Sequence, residues 1–140
     1  MVLMRVDGVI SRNLSVIARE VEALRALPAG AVAQLEQQHF LKRGIERSLQ
    51  VCIEAMVDIA NRIIAVRQHA PATSGAESVQ ALERLGVTKC AATYAEMVKF
   101  RNLNAHRYEA IDTAVLRTIL ERHLADFETF TAEIERYACA

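Results

Sequence analysis

Residues 45–64, IERSLQVCIEAMVDIANRII, carry apolar side chains at alternating intervals of four and three residues. This spacing brings one apolar side chain per turn to the same face, so the segment predicts a long amphipathic α-helix. Its buried stripe is Ile45, Leu49, Cys52, Met56, Ile59 and Ile63. We expect the helix to begin near Val32, and Gly44 inside it predicts a bend or a close contact between helices.

The same spacing predicts a long helix at each end of the chain. The first helix ends at Pro28-Ala29-Gly30, since proline lacks an N–H group and disfavours helical geometry before it. The last helix is capped by Asp112. The first stripe is Ile10, Leu14, Ile17, Val21 and Leu24, and the last is Leu116, Leu120, His123, Phe127, Phe130, Ile134 and Tyr137.

Two shorter helices are predicted between these long ones. Residues 69–78, HAPATSGAES, are predicted to form a loop. A helix from Glu77 to Leu85 follows and is stopped by Gly86, and Thr88 caps the next helix, whose core side is Tyr94, Met97 and Val98. No segment shows the alternation of a strand. The predicted fold is therefore all-α, one domain over residues 1–140, an antiparallel bundle of about five helices.

The composition limits the classes of partner and compartment. Hydrophobic residues make up 52% of the chain, which fits either a well-filled core or apolar surface covered by a partner. Lys+Arg and Asp+Glu both number 17, so RNA binding would need a local basic surface. Lys42, Arg43 and Arg47 form one basic group, either a solvated face or a guide for RNA. The three cysteines lack CxxC spacing, which predicts free thiols in a reducing compartment. We find neither a signal peptide nor a membrane span in the sequence, and we therefore expect a cytoplasmic location.

Residues 100–108, FRNLNAHRY, place polar side chains on a helix that has an apolar stripe. Arg101 falls on the inward-facing stripe of this helix. Its guanidinium is therefore either paired with a buried carboxylate, such as Glu54 or Asp58, or part of a functional site. His106 lies five residues further, about 140° away around the helix axis, whereas Asn102 and His106 share a face. Two arrangements could bring Arg101 and His106 to one phosphate. Either the helix ends or widens between them, or two chains related by a twofold axis each contribute one of them.

The side chains of this segment suit the cleavage of RNA. Histidine can move a proton from a ribose 2′-OH or to a leaving oxygen, and arginine can stabilise a phosphate and its transition state. Asparagine can orient the imidazole or hold a phosphate oxygen. The 2′-OH is an internal nucleophile, so no metal is needed, and no spacing in the chain resembles a zinc site. We therefore predict no metal and no cofactor, and His123 is interpreted as a packed or interface histidine.

Residues 101–108, RNLNAHRY, resemble the Arg-polar-x3-His-x-Tyr motif of the HEPN superfamily, in its HepT-like toxin branch. Residues 46–64 and the last helix after Ile111-Asp112 are also similar to that branch. The resemblance implies an all-α homodimer that acts as a metal-independent ribonuclease toxin. It also implies an MntA-like nucleotidyltransferase antitoxin, which silences such toxins by transferring AMP to the tyrosine of the motif.

By this resemblance Arg101 and His106 are catalytic, Asn102 is their polar helper and Tyr108 is the AMPylated residue. The position between His and Tyr is often acidic in the branch but is Arg107 here. This change adds positive charge, which suits RNA, and could alter recognition by the antitoxin. The alternative function is a non-catalytic HEPN subunit that binds a nucleotide or a nucleotidyltransferase.

Overall fold

The structure, a computed structural model, describes residues 8–106 and 112–139, and residues 101–106 by their backbone alone. Every regular element in these ranges is helical, which confirms the all-α prediction. The α-helices are α1 Gly8–Arg25, α2 Ala29–Ala33, α3 His39–Val66, α4 Gly75–Arg84, α5 Ala91–His106, α6 Thr113–Thr118 and α7 Leu124–Cys139. A 3₁₀ turn, Leu35–Gln37, precedes α3, and a π-helical turn, Ile119–His123, joins α6 to α7 as one continuous helix.

Helix α3 is the centre of the bundle. It packs against α1 on one side and against α4 and α5 on the other, while α7 packs against α1 and α5. All six residues of the predicted α3 stripe are buried. The apolar spacing of residues 45–64 therefore predicted the helix around which the others assemble.

The predicted start of the central helix was wrong. The chain forms the five-residue α2 after Pro28, then the 3₁₀ turn, and α3 begins only at His39 because Gln38 leaves the helical region at φ −115° and ψ 72°. Leu35, which is almost fully buried, holds the 3₁₀ turn against the core. Helix α3 runs through Gly44, and a Cβ added there would meet nothing within 4 Å, so the predicted close helix contact was also wrong.

The end of α4 follows the prediction made from Gly86. This glycine has φ +76°, which a residue with a side chain rarely adopts. Its N–H donates to Glu83 O at 3.0 Å, and the next N–H, of Val87, donates to Leu82 O at 2.8 Å. This pair of bonds is a Schellman motif, which satisfies the last carbonyls of the helix.

The predicted starts of α4 and α5 were both wrong. Ser74 caps α4 by accepting a hydrogen bond from Glu77 N–H at 3.1 Å, so the helix starts before Glu77. Thr88 does not cap α5: its buried Oγ1 has no hydrogen-bond partner among the described residues. Glu83 instead accepts from the Ala91 N–H at 3.5 Å. Ser74 is a local cap of a favoured residue type, whereas the carboxylate at the start of α5 comes from Glu83, eight residues before Ala91.

The buried face of the last helix shifts by one residue at the π-helical turn. Leu116, Phe127, Phe130 and Ile134 are buried as predicted, but Leu124 takes the place expected for His123. A π-helical turn holds one residue more than an α-helical turn, so it brings Leu124 back to the face that Leu116 occupies. The constant alternation of four and three therefore fails at this turn.

Candidate functional site: the end of helix α5

The backbone places three of the predicted site residues in the last two turns of α5. Residues 101–106 are α-helical throughout, so the helix neither ends nor widens between Arg101 and His106. These two positions are thus about 140° apart around the axis and about 7.5 Å apart along it. Asn102 shares the face of His106. Tyr108 and the neighbouring Arg107 lie outside the described residues.

The two halves of the predicted motif border different surfaces of α5. Position 101 is one turn from Met97, whereas position 106 is two turns from Lys99 on the opposite flank. Of the two arrangements considered from the sequence, the one that needs an interrupted helix is excluded by the backbone. The predicted pairing of Arg101 with Glu54 or Asp58 falls outside the described side chains; Glu54 is half-buried and Asp58 is exposed.

Helix α5 is anchored to α7 by a buried tyrosine and a buried carboxylate. The hydroxyl of Tyr94 donates a hydrogen bond to Glu133 Oε1, and the N–H of Lys89 donates to Glu133 Oε2 at 2.7 Å. The Tyr94 ring also packs edge-on against Phe130, with 5.1 Å between ring centroids. Burial, together with the bond to Glu133, raises the pKa of Tyr94 above its usual range. The helix that carries the motif is therefore held by polar as well as apolar contacts.

The segment after the motif is fixed at the start of α6. Asp112 caps this helix, as predicted, by accepting from Ala114 N–H at 2.8 Å. The guanidinium of Arg117 donates to the carbonyls of residues 32 and 33, at 3.2 and 2.9 Å, and to Glu36 Oε2 at 2.6 Å. Thr113 also donates to Glu36, at 3.3 Å. The hydrogen bond from Arg117 is the main cause that lowers the pKa of Glu36 to about 2.

An apolar groove of about 570 Å³ runs beside α5, facing α6 and the π-helical turn. Its floor is Leu49 and Ile53 of α3, and its walls include Met97 and Phe100, the residue just before the motif. Val115, on the opposite wall, remains 43% exposed. A groove with so much apolar surface is typical of a face that a partner covers.

His123 lies at the rim of this groove and forms a pair with Asp126. Its Nδ1 is 2.8 Å from Asp126 Oδ2, and its side chain is 45% exposed, so of the two predicted alternatives the packed histidine is wrong and the interface histidine stays a prediction. The carboxylate fixes the orientation of the imidazole and leaves Nε2 as the free ring nitrogen. This pair was not predicted from the sequence, although the i, i+3 spacing of His and Asp in one helix was a signal for it.

The described residues contain no group of three or more His, Cys, Asp or Glu side chains that could hold a metal ion. The three cysteines are free thiols, as predicted, and burial raises the pKa of Cys52 to about 12. Among the helices described, none is both long and apolar enough to cross a bilayer.

Comparisons with known proteins point to one family. The model of the ribonuclease HepT-like family matches residues 17–134. The chain is 27% identical over 126 residues to the mRNA nuclease HepT of Shewanella oneidensis, which covers 89% of this chain and 94% of that protein.

Solved structures agree with this match. The fold is similar to that of a tri-AMPylated HEPN toxin of Shewanella oneidensis in complex with an MNT antitoxin, with a TM-score of 0.85 and 26% identity over 94% of this chain and 99% of the toxin. A toxin–antitoxin complex with AMP-PNP has the same fold, with a TM-score of 0.83, 24% identity, and coverage of 92% of this chain and 99% of that one.

Proposed function

Since the chain belongs to the ribonuclease HepT-like family, we propose that it is the toxin of a toxin–antitoxin pair and cleaves RNA as an endoribonuclease. Membership confirms the family that residues 100–108 predicted, and with it the class of enzyme. The mRNA nuclease and the HEPN toxin of Shewanella oneidensis support RNA as the substrate and an MNT nucleotidyltransferase as the antitoxin.

The proposed reaction is a transesterification that needs no metal. His106 takes the proton of a ribose 2′-OH, whose oxygen attacks the adjacent phosphorus. The bond to the 5′ oxygen breaks, and this oxygen leaves with a proton supplied by a second imidazole or by water. The products are a 2′,3′-cyclic phosphate and a 5′-hydroxyl end. Arg101 stabilises the charge of the transition state, and Asn102 orients the imidazole or a phosphate oxygen.

The site is proposed to form between two copies of the chain. The observation that supports this most strongly is the unbroken helix through positions 101–106, which keeps Arg101 and His106 of one copy about 140° apart. A twofold axis at this helix places the Arg101 of one copy near the His106 of the other. The second copy covers the apolar groove, whose wall residues Met97 and Phe100 lead directly to position 101.

Mixing two inactive variants tests this arrangement. Arg101→Ala and His106→Ala are each expected to abolish cleavage, while Lys99→Ala, an exposed neighbour on the same helix, keeps it. If the site is shared, a mixed dimer of the two variants retains one complete site, so a re-equilibrated mixture recovers about a quarter of the normal rate. A mixture no more active than its parts would contradict the shared site, and activity in His106→Ala would contradict the mechanism.

Two further measurements address the metal and the antitoxin. Cleavage should survive EDTA and should fail on an RNA whose scissile ribose lacks its 2′-OH.

We also propose that the MNT antitoxin silences the toxin by AMPylation of Tyr108. Co-expression of the two proteins should raise the intact mass by whole AMP units, and Tyr108→Phe should not gain them. If the unmutated chain cuts no RNA and gains no AMP, the alternative of a non-catalytic binding subunit is supported instead.

A further inference from the structure

The first turn of α3 exposes an aromatic pair that the fold does not use. Phe40 is 87% exposed, the most exposed large apolar side chain among the described residues. His39 packs edge-on against it, with 5.2 Å between the ring centroids and 76° between the ring planes. A phenylalanine in contact with water adds nothing to the core, so this pair has no structural role within the described fold.

Two arginines lie on the same face of α3 as Phe40. Arg43 and Arg47 follow it at i+3 and i+7, and both are exposed. Arg43 forms no ion pair with a described residue, and Arg47 donates only to the uncharged Gln50, at 3.1 Å. Glu46 lies three residues after Arg43 but is buried, and the following carboxylate, Glu54, is about 10 Å beyond Arg47 along the helix. The start of α3 is therefore a local basic surface on a chain whose formal net charge is zero.

Gly44 completes this face at i+4 from Phe40. Glycine weakens a helix relative to alanine, and here nothing in the packing requires it, because an added Cβ would meet no atom within 4 Å. The missing side chain leaves flat backbone between the ring of Phe40 and the guanidinium of Arg47. A planar group stacked on the ring can thus lie against the helix without a steric obstacle.

The N-terminus of α3 is open as well. The preceding residue, Gln38, forms no side-chain hydrogen bond to the helix, so the first N–H groups are not capped. Uncapped N–H groups and the helix dipole favour a phosphate at this end. This surface thus combines a flat aromatic ring, two guanidiniums that form no ion pair with a described residue, and an open helix end. The combination matches a ligand that alternates planar bases with phosphates.

This surface lies at the same end of the bundle as the motif. Glu36, three residues before α3, contacts Thr113 of α6, and Thr113 is seven residues after His106. The distance between positions 106 and 113 is therefore at most about 25 Å, and that between positions 36 and 39 at most about 11 Å. A single strand of RNA that continues beyond the scissile phosphate can therefore reach both places.

We propose that residues 39–47 form a binding surface for the single-stranded RNA that the α5 motif cleaves. Phe40 stacks on a base, Arg43 and Arg47 contact the flanking phosphates, and Gly44 provides room for the stacked base. This assignment rests on the proposed function. Single-stranded RNA fits better than a duplex, since the bases of a duplex are paired and stacked on each other and are not free to stack on a side chain.

Fluorescence anisotropy with a short fluorescein-labelled single-stranded RNA of mixed sequence tests the surface. Binding is measured on the full chain in the His106→Ala background, so that the RNA stays intact. Phe40→Ala should weaken binding about tenfold or more. Arg43→Ala combined with Arg47→Ala should reduce the slope of log K against log salt by about 1.4. Gly44→Leu, which has open space around it, should also weaken binding.

Matched controls come from other exposed positions. Val66→Ala removes an exposed apolar side chain at the far end of α3, and Arg12→Ala with Arg19→Ala removes two exposed arginines from α1. These controls should bind as the parent does. The residues substituted in α1 and α3 are all exposed, so thermal unfolding should verify that each variant folds.

Cleavage of the same RNA by the unmutated chain separates the two proposals. If it cleaves and the α3 variants bind and cleave like the controls, the surface is wrong and the ribonuclease function stands. If the unmutated chain neither binds nor cleaves RNA, both are wrong. If the α3 variants keep RNA binding but lose the MNT antitoxin, the surface docks a protein and the RNA assignment is overturned.

Discussion

Replacing Tyr94 by phenylalanine removes a single hydroxyl at the contact that anchors α5 to α7. This hydroxyl donates to Glu133, a buried carboxylate whose other oxygen is held by the Lys89 N–H at 2.7 Å. A hydrogen bond to a charged group contributes about 1.5–3 kcal/mol, and here its loss leaves a buried oxygen without a donor. For a chain of 140 residues the entropy of unfolding is about 0.3 kcal/mol per kelvin. The expected fall in melting temperature is therefore about 5–10 °C.

Circular dichroism during thermal and urea unfolding measures this loss. Tyr137→Phe is the matched control, because Tyr137 is only half-buried and forms no hydrogen bond with a described residue; its effect should be within about 0.5 kcal/mol. A Tyr94→Phe variant as stable as Tyr137→Phe would refute the assigned role of the buried bond.

A second signature is the pH dependence of the unfolding free energy. Because the pKa of Tyr94 is raised by folding, its contribution is complete below pH 10 and declines as the pH rises beyond it, and this decline should be smaller in Tyr94→Phe.

Three other substitutions test helix ends and the contact beside the motif. Asp112→Ala should cost about 1 kcal/mol in unfolding free energy, because the Ala114 N–H loses its cap, and chemical denaturation measures it. Gly86→Ala should cost about 1–2 kcal/mol in the same assay, since alanine is strained at φ +76°. Glu36 has its pKa lowered to about 2, so its contribution to stability is present above pH 4.5 and is lost as the pH falls towards 2. Glu36→Gln should therefore flatten the acid side of the stability profile over that range, and an unchanged profile would contradict the role of the Arg117 contact.

The apolar spacing predicted the helices because most of them bury a single stripe. The central helix, the first helix and the second half of the last helix all follow it, and the local signals of Gly86 and Asp112 marked real helix ends. Helix α2 buries none of its residues, so no periodicity could indicate it. Thr88 had the right residue type for a cap, but tertiary contacts brought Glu83 to the start of α5 instead.

The candidate site was predictable in its residue types and only partly in its geometry. The spacing of Arg101 and His106 gave their offset around a helix, and the backbone then showed that the helix is unbroken between them. The groove beside them could not be predicted, since it is formed by three helices distant in sequence. Phe40 does not belong to the buried stripe of α3. An aromatic residue beside Lys42 and Arg43 was nevertheless a sequence signal for the proposed RNA-binding surface.

The π-helical turn at Ile119–His123 lets the last helix hold one residue more than a regular α-helix whose two halves have the same relative orientation. If the turn closed as regular α-helix with all its residues kept, the segment beyond it would rotate by about 100° relative to α6. Phe127 and Phe130 would then leave the core, and Glu133 would leave Tyr94. Deleting one residue of the turn would instead restore a regular α-helix and keep Leu124 on the face of Leu116. The chain is therefore expected to tolerate the loss of one residue within this turn far better than the loss of one residue from the α-helical part of α7.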